Sequence, residues 1–108
     1  MHRPGGGPTD VWAVGDGGTI IHFDGNRWTP SVSGTSQSLQ VVRAGDVGEA
    51  WAAGRVGTIL RFTKGAWRAI ESGTKNHLFA ISIDVDGVRA AGANGTVLRI
   101  SNGSNDGR

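Results

Sequence analysis

The 108-residue chain contains no cysteine and no tyrosine, a single methionine and three prolines. Without cysteine it can build neither a disulfide scaffold nor a thiolate metal site. No apolar run approaches the roughly 20 residues that a membrane-spanning helix needs, so no membrane span is expected. The first ten residues, MHRPGGGPTD, lack the apolar core of a signal peptide. Charge of one sign is missing too. Eleven Lys and Arg against nine Asp and Glu leave a net charge of +2 with no basic stretch, so no nucleic-acid partner is expected. What the chain has in excess is glycine. Nineteen glycines argue against a helical domain, because each costs roughly 1 kcal/mol against alanine in a helix interior.

Those glycines are periodic. Trp12-Ala13-Val14-Gly15 returns as Trp51-Ala52-Ala53-Gly54, 39 residues on, and as Arg89-Ala90-Ala91-Gly92 after a further 38. Gly18-Thr19-Ile20-Ile21-His22-Phe23 returns as Gly57-Thr58-Ile59-Leu60-Arg61-Phe62 and again as Gly95-Thr96-Val97-Leu98-Arg99-Ile100. Trp28 returns as Trp67, and Ser33-Gly34-Thr35 as Ser72-Gly73-Thr74. Leu39 and Val42 return as Leu78 and Ile81.

Each copy holds four short runs rich in β-branched or aromatic residues and bounded by turn signals. In the first they fall near 10–15, 18–23, 27–32 and 39–44, and in the second near 49–54, 57–62, 66–71 and 78–84. Asp16-Gly17, Arg55-Val56 and Ala93-Asn94, each followed by glycine, mark tight hairpins. Asp24-Gly25-Asn26 and Lys64-Gly65 mark the next turns. Both faces of the second run carry apolar residues (Ile20 and Ile21, Ile59 and Leu60), so each sheet needs cover on both sides. A repeat of about 40 residues with four strands is the pattern of a β-propeller blade. The expected fold is therefore all-β, a partial propeller of about two and a half four-stranded antiparallel blades. It divides into a disordered tail over 1–9, blades over 10–48 and 49–87, a half blade over 88–101, and a polar tail over 102–108.

The segment 10–28, DVWAVGDGGTIIHFDGNRW, resembles blades of bacterial propellers of the photosystem II stability/assembly factor type. Its second strand and turn also resemble the Asp-box hairpin of sialidase-type propellers, S-x-D-x-G-x-x-W. Asp24, Gly25 and Trp28 approximate the motif; in the second copy Lys64 stands for the Asp while Gly65 and Trp67 remain. The resemblance covers residues 10 to about 101 and implies structural roles for Trp12, Gly15, Gly18, Asp24, Gly25, Trp28, Trp51, Gly54, Gly57, Gly65, Trp67, Gly92 and Gly95. It implies a bacterial source, and an exported or cell-surface setting. It does not imply catalysis, since the Asp-box lies away from sialidase catalytic centres and a sialidase needs the tyrosine that this chain lacks. The elementary chemistry agrees: a short Asp accepts backbone N–H bonds in a turn, glycine supplies positive φ, and Trp plugs the space beside it.

No catalytic set emerges. His2, His22 and His77 share no metal-ligand spacing. Asp84-Val85-Asp86-Gly87 is too short of oxygen ligands for calcium and reads as a hairpin between blades. Asn94-Gly95-Thr96 and Asn102-Gly103-Ser104 match the glycosylation sequon only incidentally. His22, Arg61 and Arg99 fall in one column at the wet end of their strands, a weak candidate row for an acidic partner. No cofactor or metal is expected.

The leading expectation is a non-enzymatic module for protein–protein contact or a structural role, within a longer propeller. Self-association through the open blade edge is a second route to closure, and a small open stack a third. A glycan-binding propeller using Trp12 and Trp51, and part of a hydrolase whose centre lies in further blades, are the alternatives.

Overall fold

The computed structural model describes residues 11–44, 49–84 and 87–100. The expected tails over 1–9 and 102–108, His2, Asp86, the second sequon and the segment 45–48 lie outside the described residues. Among those described there are ten strands and no α-helix. They are β1 (Val11–Val14), β2 (Ile20–Phe23), β3 (Trp28–Ser31), β4 (Leu39–Ala44), β5 (Ala50–Gly54), β6 (Ile59–Thr63), β7 (Ala66–Ala69), β8 (Leu78–Asp84), β9 (Gly87–Gly92) and β10 (Thr96–Ile100). Three-residue 3₁₀ turns at Asp16–Gly18, Arg55–Gly57 and Ala93–Gly95 join β1 to β2, β5 to β6 and β9 to β10.

Every ladder is antiparallel, and the strands form three sheets in the orders β1-β2-β3, β4-β5-β6-β7 and β8-β9-β10. The strands fall where the repeat places them, but their grouping differs. The sequence period assigns 39–44 and 78–84 to the strands before them. In the structure each pairs with the strand that follows: Ala44 stands opposite Ala50, and Asp84 opposite Gly87. The sheets thus hold three, four and three strands, not two sets of four and a half set, and the boundaries at 48/49 and 87/88 fall inside sheets. Chain length decides this. Short connections bring antiparallel neighbours together, whereas the longer links over 32–38 and 70–77 carry the chain from one sheet to the next.

Those links are built twice to one plan. Ser33 Oγ donates to the Thr35 carbonyl at 3.1 Å and accepts from the Thr35 N–H at 3.3 Å; Ser72 and Thr74 repeat both bonds at the same lengths. Each Thr carbonyl then lies against the glycine that ends a 3₁₀ turn. A Cβ on Gly18 or Gly57 would stand 1.9 Å from the carbonyl oxygen of Thr35 or Thr74, and both glycines have positive φ, +81° and +69°. Only glycine satisfies both conditions. The threonine after each glycine closes the turn with its hydroxyl, Thr19 onto Asp16, Thr58 onto Arg55 and Thr96 onto Ala93, at 2.6–2.8 Å.

The sheets pack face to face through two cores. Ile20, Leu39, Ala50, Ala52, Leu60 and Trp67 fill the space between the first and second sheets. Trp51, Ala53, Ile59, Leu78, Ile81, Val88 and Ala90 fill that between the second and third. Consecutive residues of β5 and β6 alternate between the two cores, as a period of two requires. The backbones approach at β1, β4, β5 and β8. A backbone bond from the Leu39 N–H to the Gly15 carbonyl, 3.0 Å, ties the first sheet to the second. Arg43 Nε donates to the Ile81 carbonyl at 3.1 Å, tying the second to the third.

The middle residue of each 3₁₀ turn is also left-handed: Gly17 at φ +66°, Val56 at +57° and Asn94 at +60°. Valine is ill suited there, because its branched Cβ crowds the backbone. Val56→Gly, which keeps the N–H that donates to His77 Nδ1 at 3.0 Å, should raise stability by about 1 kcal/mol. Gly57→Ala should lower it by about 3 kcal/mol or more. Chemical denaturation of the two variants checks both signs.

Candidate functional site

The repeat columns become the facing sides of the sheets. Trp12 stands directly opposite His22 in the first sheet, Trp51 opposite Arg61 in the second, and Arg89 opposite Arg99 in the third. The first two pairs are directed toward the next sheet along the stack, and the third lies on the same side of the last sheet, which is open. In the first, the Trp12 and His22 rings stack at 4.2 Å and 26°. In the second, the Arg61 guanidinium lies over the Trp51 ring, 5.2 Å from its centroid, and its Nη2 donates to Glu49 at 2.9 Å. His22, Arg61 and Arg99 therefore do not form one surface row. They sit on three successive sheets, two of them stacked on indoles between sheets, and Arg99 is exposed. The third sheet has no indole in this column. It sets two guanidinium groups opposite each other, an unfavourable pairing across a ladder that Asp84 relieves on one side by accepting from Arg89 at 3.0 Å.

The opposite sides of the sheets carry the complementary feature. Phe62 and Trp67 face each other across the β6–β7 ladder, 5.3 Å apart at 52°. They receive Trp12, which lies 4.8 Å from Phe62 and meets Trp67 edge-on at 5.1 Å and 84°. Phe23 and Trp28 make the same pair across β2–β3, 5.3 Å apart at 39°. There the pair is open, and Trp28 is 48% exposed, while Trp67 is 8% exposed. At the other end of the stack Val97 is 70% exposed, although Ile20 and Ile59 in its column are 2% exposed. The molecule thus ends in two unlike faces: Phe23 and Trp28 on the first sheet, and Arg89, Val97 and Arg99 on the third. Phe23, Arg89 and Val97 were not singled out by the sequence reading. The signal for Val97 was its membership of a column that is otherwise core.

Trp51 is buried to 2% exposure and Trp12 is enclosed by Phe62 and Trp67, so neither indole offers a free ring face to a sugar. His77 accepts the Val56 N–H through Nδ1, as Ser38 Oγ accepts that of Gly17 at 3.3 Å. Asn76 is half-buried and donates to Thr96 Oγ1 at 2.7 Å. Asp84 and Gly87 close the β8–β9 ladder within one sheet, so the Asp84 hairpin lies inside a sheet and not between blades. Asn94 of the first sequon holds the left-handed position of its turn. Among the described residues no three His, Cys, Asp or Glu side chains gather to hold a metal, and no helix is long and apolar enough to cross a membrane.

Asp24 forms a local cap, its Oδ1 accepting from the Asn26 and Arg27 N–H groups at 2.9 and 3.0 Å. Four residues join each Phe to its Trp, 24–27 in the first copy and 63–66 in the second, but they fold differently. Thr63 and Ala66 extend the second ladder, leaving Lys64 and Gly65, both at positive φ, as a two-residue turn. Lys64 thus takes the place of Gly25 in the backbone, not that of Asp24.

The Arg27 N–H, then that of Asn26, hold the Asp24 carboxyl below its ordinary value of 3.8. The sign follows from linkage: a depressed carboxyl contributes stability above the unfolded value and loses it as pH falls through the lowered folded value. An NMR titration should place the Asp24 midpoint below 3.8, and Asp24→Asn should remove this part of the acid dependence. The two tryptophan environments predict a second contrast. Trp12→Ala should cost about 3 kcal/mol or more in thermal or chemical unfolding, and Trp28→Ala about 1 kcal/mol or less in the dilute monomer.

No family model matches the chain, and neither a curated protein nor a solved structure does.

Proposed function

We propose that this chain is a non-enzymatic β-propeller repeat module that acts through protein–protein contact, its working surfaces being the two terminal sheet faces. One observation carries the reading. The columns that bury Ile20, Trp51 and Ile59 and partly cover Trp12 at the internal junctions, and the aromatic pair that seats Trp12, reach the surface at the ends as Val97 with Arg89 and as Phe23 with Trp28. A surface made of the same positions as an internal interface is suited to hold another protein surface. The resemblance to bacterial propeller repeats supports it, because such blades are stacked on both sides.

Photo-crosslinking tests the reading. A photoreactive residue at position 28 or 97, in cells that produce the protein, should trap discrete protein adducts. The same residue at Lys64, in an exposed turn, should trap none. Equal labelling from all three positions, or none from any, would contradict it.

A further inference from the structure

The two terminal faces are complements of each other, on the pattern of the molecule's own internal junction. At the junction of the first two sheets, the column of Trp12, Ile20 and His22 lies on the sheet that carries Phe62 and Trp67. The open face of the third sheet presents that column as Arg89, Val97 and Arg99. The open face of the first sheet presents the receiving pair as Phe23 and Trp28, already at the 5.3 Å separation of the occupied pair. The substitutions in the column are chemically matched to the seat. A guanidinium placed where Trp12 sits would lie against two aromatic rings, the attraction that Arg61 already makes with Trp51. It would also give the Arg89–Arg99 pairing the aromatic partner that its two counterparts have and it lacks.

We propose that the Arg89–Val97 face of one molecule docks on the Phe23–Trp28 face of a second copy, and that two copies close head to tail into one ring. The number of copies follows from the sheet count. Closed stacks of this kind hold four to eight sheets. One copy supplies three, two supply six, and three would exceed the range. Because the faces are unlike, the contact is heterologous, and it terminates only if the ring closes. This inference rests on the reading of the terminal faces as interaction surfaces and names their partner.

Sedimentation of the whole chain across a concentration series tests it, with circular dichroism confirming that each variant keeps its sheets. The wild type should reach twice its 11.2 kDa mass and stop there. Trp28→Ala and Arg89→Glu, at exposed or half-exposed positions on opposite faces, should each weaken pairing about 30-fold or more, as hot-spot losses do. Mixing those two variants should restore pairing in part, because one of the two junctions in the mixed ring is then intact. Arg89→Trp, which rebuilds the internal column, should pair at least as tightly as the wild type. A monomer at every concentration, masses climbing beyond two copies, pairing unaffected by both weakening substitutions, no recovery on mixing, or a monomeric Arg89→Trp would each overturn the proposal. A monomer that still gives position-specific adducts with another protein would overturn the ring alone and leave the interaction module standing.

Discussion

The inner strand β5 of the second sheet has no wet face, and the rest of the molecule answers that constraint. Ala50, Trp51, Ala52 and Ala53 follow one another along β5, and all are buried. Leu60 joins the core toward the first sheet and Ile59 the core toward the third. Fully burying such side chains is worth about 1.5–3 kcal/mol each, so a sheet apolar on both sides gains little until it has neighbours on both sides. The small residues of β5 let the adjoining backbones come close, and the large rings of Trp12, Phe62 and Trp67 occupy the space nearer β7.

Stacking alone would not fix how one sheet sits on the next. The links do that. Each Ser-Gly-Thr link folds on its own hydroxyl and presses a carbonyl onto a glycine of the sheet it is leaving, while the Ser38 and His77 carbonyls at its far end lie against Gly54 and Gly92 of the sheet it enters, so the link is anchored by backbone contact at both ends. The Leu39–Gly15 and Arg43–Ile81 bonds add polar ties across the same gaps. The repeated polar residues therefore serve geometry: Thr19, Thr58 and Thr96 hold turns, and Ser33 and Ser72 hold links.

Much of this was legible in the sequence. The strand positions followed from short β-branched runs, and the turn columns from glycines recurring at one spacing. The double-sided burial followed from paired apolar residues in β2 and β6. Three features were not legible, each for a physical reason. A period gives the distance between equivalent strands but not where one sheet stops, so 39–44 and 78–84 were grouped with the wrong neighbours. The column of His22, Arg61 and Arg99 looked solvated because charge suggests water, whereas Arg61 lies against an indole and a carboxylate. The offset between Asp24 and Lys64 was hidden because four residues join each Phe–Trp pair and yet fold differently: Asp24 caps a turn in the first copy, whereas Thr63 and Ala66 extend the ladder in the second.

The shift between sequence repeat and sheet has a consequence for how such a chain can lengthen. The second and third sheets each take their first strand from the end of one repeat and their remaining strands from the next. Duplication of one 39-residue unit in the interior would therefore add a whole four-stranded sheet, whichever codon began the duplicated stretch, and would leave both terminal faces unaltered. Growth by duplication and chemical change at the ends are thus separable, and the substitutions that distinguish Arg89 from Trp12 and Trp51 could accumulate without disturbing the interior.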